Sequence, residues 1–133
     1  MTSDLLAGAS AIVTGGESGI GEACVDALVA AGARVTLTYH SDQTAAEVIV
    51  ERNGGSARAL AVQTDVADEA GVDALFAAAE TAFGPVTLLV NSAGLNMSGI
   101  KLVDMELAQF DRVVRTDLYG PFLTCRRCRV SGR

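Results

Sequence analysis

Ala11-Ile12-Val13-Thr14-Gly15-Gly16-Glu17-Ser18-Gly19-Ile20-Gly21 is the stretch that decides how this chain folds. A short apolar run leads into glycines spaced G-x-x-x-G-x-G, and a helical pattern follows. That order makes a strand, a tight turn and a helix start. One glycine permits the sharp bend, another leaves the backbone open to close approach, and a third lets helix and strand pack together. The helix start adds unpaired N–H groups and the positive end of a dipole, which suits the turn to the phosphates of a dinucleotide. The turn is not a P-loop: Gly16 and Gly21 have that separation, but Glu22-Ala23 stands where Lys and Ser or Thr are required. Taken by itself, it also admits a purely structural role.

Outward from the turn, strands and helices alternate. The first strand runs from Ser10 to Thr14. A helix follows from Gly19 to Ala31, with Ile20, Cys24, Ala27 and Leu28 at helical spacing, and Gly32 closes it. A second strand spans Arg34 to Tyr39, and a second helix runs from Gln43 to Asn53, where Asn53-Gly54-Gly55 stops it. The third strand is Ala57 to Gln63, and Val72, Leu75, Phe76, Ala79 and Phe83 mark a third helix. Gly84-Pro85 breaks it ahead of a fourth strand, Val86 to Asn91, whose Thr87-Leu88-Leu89-Val90 run reads as a buried parallel strand. A loop from Ser92 to Met105 precedes a fourth helix carrying Phe110, Val113, Val114 and Leu118. Such alternation predicts an α/β fold. Right-handed crossovers order its parallel sheet 3-2-1-4, with helices on both faces.

At 133 residues the chain is one domain or part of one, and half its residues are apolar, so it can bury a core. The formal charge of −6 argues against nucleic acid or an anionic membrane as partner. No apolar run reaches the length of a membrane span, and Met1–Ala9 lacks the basic start of a signal peptide. Cys24, Cys125 and Cys128 make an odd count without a secretory signal, which favours reduced thiols and a cytoplasmic setting. Cys125-Arg126-Arg127-Cys128 has CxxC spacing, but a zinc site needs four ligands and only His40 and Cys24 remain, far away in sequence. No metal site is expected, and the thiols read as structural or incidental. From Arg126 to Arg133 the apolar period is lost and four of the nine arginines gather. Two readings stand: a cationic helix end complementing its dipole, or an artificial or frameshifted chain end.

Two further motifs fall at the C-terminal edge of the sheet, where open α/β sheets bind ligands. Asp65-Val66 follows the third strand, and Asn91-Ser92-Ala93-Gly94 follows the fourth. With Thr14-Gly15 through Gly21, these make the chain resemble the short-chain dehydrogenase/reductase family over residues 7–124, about the first half of a typical member. The resemblance implies a single, partial NAD(P)-binding Rossmann-like domain across residues 1–133. It implies that Gly15, Ser18, Gly19, Ile20 and Gly21 line the pyrophosphate. Asp65 would meet the adenine amino group and Val66 would offer backbone contact. Asn91, Ala93 and Gly94 would lie beside the cofactor ribose and steady the central sheet. Asp65 also reads as a helix N-cap, although Asp68 can cap that helix itself. Tyr39 takes the place of the acid that selects NAD, and His40 falls where NADP users carry Arg. NADP is therefore favoured over NAD; an exposed loop histidine is the other reading of His40.

The family's chemistry is hydride transfer between a nicotinamide and a carbonyl or alcohol carbon. It uses a Tyr as general acid/base, with its pKa lowered by a Lys four residues later, because an unperturbed phenol is a poor base at neutral pH. Here the tyrosines are Tyr39 and Tyr119, followed four residues on by Gln43 and Leu123, and Lys101 is the only lysine. No Tyr-x-x-x-Lys exists, and the strands and substrate loop that come later in the family are missing. Asp117 stands at the place of the family's proton-relaying Asn, on the helix face with Phe110, Val113 and Val114. It is expected to be partly buried; a solvated helix carboxylate is the alternative. Three readings follow: the cofactor half of a carbonyl/alcohol oxidoreductase whose substrate is met only in a full-length form, a dinucleotide-binding module that catalyses nothing, or a truncated or frameshifted product. The fourth strand is expected to be an exposed apolar edge, inviting self-association or pairing with a full-length relative.

Overall fold

The computed structural model describes residues 4–128; Met1–Ser3 and the arginine-bearing end Arg129–Arg133 lie outside the described residues. Four strands, β1 (Ser10–Thr14), β2 (Arg34–Tyr39), β3 (Ala59–Gln63) and β4 (Leu88–Asn91), form one sheet in the order β3-β2-β1-β4. All three pairings are parallel, with Ile12 beside Thr36 on one side and Leu89 on the other. Successive side chains of β1 point to opposite faces. Ala11 and Val13 pack with Val25 and Val29 of α1 (Gly19–Ala30) and with Ala46 and Ile49 of α2 (Gln43–Arg52). Ile12 packs on the other face with Val72, Leu75, Phe76 and Ala79 of α3 (Glu69–Phe83). A three-layer α/β arrangement results.

Local chemistry sets the element ends. Asp42 accepts from the Ala45 N–H at the start of α2, and Asp68 accepts from the Gly71 N–H at the start of α3, each at 3.0 Å. These bonds satisfy N–H groups that a helix leaves without partners. Arg52 bridges Glu22 and Asp26, tying α2 to α1. Burial raises the Asp26 carboxyl, but hydrogen bonds from Arg52 and Asn53 outweigh it and hold the group below its ordinary range.

Several boundaries differ from the sequence reading. The expected start of the third strand at Ala57 belongs to a 3-10 turn, Gly55–Ala57, so β3 begins at Ala59. Val86 is buried and the Thr87 N–H reaches the Ser10 carbonyl, but the β4 ladder starts only at Leu88. Ala31 and Asn53 are C-caps rather than final helical residues.

The larger correction concerns the fourth helix, which is not continuous. It comprises α4 (Leu107–Val114), a π-helical turn at Arg115–Tyr119, and α5 (Gly120–Arg127). A π turn inserts a residue into the ladder and rotates everything after it, so the expected single apolar stripe is broken. Val113 and Val114 are half-buried, whereas Phe110 and Leu118 are 53% and 63% exposed. Within the described part of the arginine-rich end, Arg126 pairs with Glu69, and Arg127 pairs with Glu80 and Asp73. The two guanidiniums also lie over the rings of Phe122 and Phe76. These residues dock α5 on α3.

Candidate functional site

Two buried threonines assemble the C-terminal edge of the sheet. The Thr14 Oγ1 accepts from the Ser92 N–H at 3.1 Å and the Ala93 N–H at 3.2 Å, fastening the loop after β4 to the end of β1. The Thr38 Oγ1 accepts from the Gly15 N–H at 3.0 Å, and the Thr38 carbonyl from the Gly16 N–H at 3.1 Å, fastening the glycine turn to β2. The Thr64 N–H donates to the Tyr39 carbonyl, and the Gln63 amide to the His40 carbonyl, bringing in the end of β3.

The glycines have separable reasons. Gly15 has φ +63°, and a Cβ there would sit 2.7 Å from the Ala93 Cα; a side chain would drive the β1 and β4 loops apart. Gly19 has φ +57°, but a Cβ there would meet nothing within 4 Å. Its backbone is demanding while its surroundings are open, as expected where something else is to approach. Gly21 is buried, and a Cβ on it would strike the Gly15 carbonyl, so it serves turn-to-helix packing.

A cleft of about 630 Å³ opens above these loop ends. It is lined by the expected residues Gly15, Ser18, Gly19, Ile20, Tyr39, His40, Asp65, Val66, Ala93 and Gly94. At its floor stands the N-terminus of α1, where Ser18 makes no side-chain capping bond. Uncapped N–H groups at a helix start favour an anion. Glu17 also lines the cleft, and its Oε2 is buried without a hydrogen-bond partner. Such an oxygen calls for a donor of the kind a sugar hydroxyl provides. The open cradle at Gly19, the uncapped helix start and this acceptor together fit a dinucleotide.

Asp65 is exposed, and its Oδ1 accepts from the Ala67 N–H at 2.9 Å; the N-cap of α3 is Asp68. Val66 is buried, and Gly120 is what lets the chain past the π turn approach it, since a Cβ there would lie 2.8 Å from Val66 Cγ2.

Two of the expected cofactor residues are not on the cleft wall. Gly21 lies behind it. Asn91 turns toward α5, where its Oδ1 accepts from the Thr124 Oγ1 at 2.7 Å and its Nδ2 faces the Cys125 Sγ at 3.5 Å. Its observed work is to hold the end of β4 against α5. Asp117, expected to be partly buried with Phe110, Val113 and Val114, is exposed because the π turn changes the helix phase. Its Oδ1 accepts from the Leu95 N–H at 2.8 Å, so it fixes the loop just beyond Gly94.

Sequence reasoning missed Glu17, Thr38, Ser41, Thr64 and Ser92, as well as Arg112, Arg115 and Thr116 from the α4 region. Sheet order alone could have found the loop residues, because each follows or ends a strand that terminates at this edge. The i, i+3 spacing of Arg112 and Arg115 was visible, but which face of α4 meets the cleft is set by tertiary packing.

Among the described residues no group of three or more His, Cys, Asp or Glu side chains is arranged to hold a metal, and no helix is long and apolar enough to cross a membrane. The three cysteines are free. Burial pushes the Cys128 thiol up, and the neighbouring Cys125 adds to this.

Residues 9–129 match the family model described as short chain dehydrogenase. An NADP-dependent (R)-specific alcohol dehydrogenase of Lentilactobacillus kefiri is 40% identical over 124 residues, covering 92% of this chain and 48% of that protein. A short chain dehydrogenase from Burkholderia cenocepacia, solved in complex with NADP, superposes with a TM-score of 0.87 at 33% identity, covering 93% of this chain and 51% of that one. A 3-ketoacyl-(acyl-carrier-protein) reductase from Brucella melitensis, complexed with NADH, superposes with a TM-score of 0.85 at 36% identity, covering 92% and 49%. The chain spans about half the length of the curated relatives it matches.

Proposed function

This chain belongs to the short chain dehydrogenase family, and we propose that it binds a nicotinamide dinucleotide, NADP in preference to NAD, across the cleft at the C-terminal edge of its sheet. The observation that carries the reading is the convergence of the uncapped α1 start, the open Gly19 cradle and Asp65 on that one cleft. In this reading Gly15, Ser18, Gly19 and Ile20 receive the diphosphate, Gly21 supporting the turn from behind. Asp65 and Val66 receive the adenine, and Ala93 and Gly94 lie beside the cofactor ribose, with Asn91 steadying that loop from the α5 side. Tyr39 and His40 at the end of β2 offer no carboxylate to a ribose 2′-hydroxyl, which is the basis for preferring the phosphorylated cofactor.

The reaction class proposed for the whole protein is hydride transfer to or from a carbonyl or alcohol carbon. When bound, the nicotinamide ring supplies the hydride-carrying carbon. These 133 residues hold and orient the dinucleotide but contain no Tyr-x-x-x-Lys, so they have no tuned phenol to move the substrate proton. That absence favours a second reading, a binding module that turns nothing over by itself. The setting we propose is cytoplasmic, in keeping with free thiols.

Fluorescence titration of the purified chain with NADPH and NADH tests the proposal. Saturable binding, tighter for NADPH, is the expected result. Failure of both nucleotides to bind overturns the cofactor reading, and tighter NADH binding overturns the preference.

A further inference from the structure

A protein with a net charge of −6 must attract a polyanion to a cleft that presents Glu17 and Asp65. Neither the glycine turn nor the end of β2 supplies a fixed cation. The glycine turn carries Ser18 and Glu17, and the end of β2 carries Tyr39 and His40. The cleft does hold two guanidiniums, on Arg112 of α4 and Arg115 of the π turn. Arg52, Arg126 and Arg127 are each paired with carboxylates, whereas Arg112 and Arg115 lie within salt-bridge distance of none among the described residues. Arg115 is also steered: its guanidinium lies over the Tyr119 ring, 5.8 Å from the centroid.

We propose that Arg112 and Arg115 are the phosphate-attracting residues of this cleft, supplying from α4 and the π turn the positive charge that the glycine turn and β2 lack. The inference rests on the dinucleotide reading above and deepens it. Arginine suits the role because it is always charged and presents several donors to phosphate oxygens. The backbone stays α-helical from Arg112 to Arg115, so their i, i+3 spacing puts the two guanidiniums on one face of the helix, the face that lines the cleft.

The test is calorimetric titration of the whole chain with NADP, NAD and uncharged adenosine, at low salt and at about 0.5 M salt, where screening reaches within a few ångströms. Three forms are compared: unaltered, Arg112→Gln/Arg115→Gln, and Arg112→Lys/Arg115→Lys. Both positions are exposed, and circular dichroism checks that each variant keeps its fold. The glutamine pair is expected to bind both dinucleotides roughly tenfold more weakly at low salt, with a flattened salt dependence. The lysine pair should keep most of the affinity, and adenosine binding should be unchanged. An equal loss on NAD and NADP assigns the contact to the diphosphate, and a larger loss on NADP extends it to the 2′-phosphate. Glutamine variants that bind both dinucleotides within about twofold of the unaltered chain, with the same salt slope, would overturn the inference. Absence of dinucleotide binding by the unaltered chain would instead remove the cofactor reading and this inference with it.

Discussion

Thr14→Val removes one hydroxyl and should loosen the whole edge on which the cleft is built. Thr14 is 1% exposed, and its Oγ1 is the acceptor for both the Ser92 and Ala93 N–H groups. Valine fills nearly the same space, so no cavity opens and the effect is confined to hydrogen bonding. Each amide left without a partner costs about 1–3 kcal/mol, and partial rehydration of the loop keeps the pair near the lower end, about 2–4 kcal/mol together. Thr14→Ser keeps the acceptor and gives up one buried methyl, costing about 1 kcal/mol. Urea unfolding of the three forms reads the difference directly. The valine variant should have the lower midpoint of the two, with unchanged slope, because the surface exposed on unfolding is the same. Its dinucleotide affinity should also fall, since Ala93 and Gly94 would no longer be held against Gly15. Equal midpoints for the valine and serine variants would refute the claim that this hydroxyl fastens the two loops.

Other perturbations separate fold from binding. Gly19→Val should cost only about 1–2 kcal/mol of stability, from its left-handed φ, yet abolish measurable NADPH binding by filling the open cradle; retained binding would contradict the placement. Asp65→Ala should weaken NADPH binding by about 1–2 kcal/mol, read by the same titration, with little effect on stability because Asp68 caps α3. Asp117→Asn should leave the Leu95 amide protected from hydrogen exchange, because an amide oxygen still accepts, whereas Asp117→Ala should speed its exchange. The purified chain should show no substrate-dependent NADPH oxidation against a carbonyl panel. In size-exclusion chromatography it should self-associate through the edge of β4, unpaired among the described residues, and the exposed Phe110, Leu118 and Phe122.

The parallel sheet was legible because strand and helix signals alternate with clear breaks at Gly32, Asn53-Gly54-Gly55 and Gly84-Pro85. The placement of the glycine turn, Asp65-Val66 and Ala93-Gly94 around one cleft was legible because each follows a strand ending at the same sheet edge. Helical periodicity failed from Arg115 onward. It assumes a constant 3.6-residue turn, and the π turn resets the phase that would have buried Asp117 and turned Leu118 inward. For Asn91 the place at a strand end was legible, but the partner of its side chain, Thr124, thirty-three residues later, was not. Glu17 and the arginines of the cleft illustrate the same limit. Their types are evident in the sequence, while their directions are set by tertiary contacts.

Amide chemical-shift mapping of the isotope-labelled chain with NADP tests the central claim most directly, because it reports where the nucleotide lies without requiring turnover. The amides of Gly15 and Ser18–Gly21, of Asp65 and Val66, and of Ser92–Gly94 should shift together and saturate at one affinity. Shifts confined elsewhere, such as the cavity between Gly8, Gly32 and Arg34 at the opposite end of the sheet, or no shifts at all in a folded chain, would contradict it.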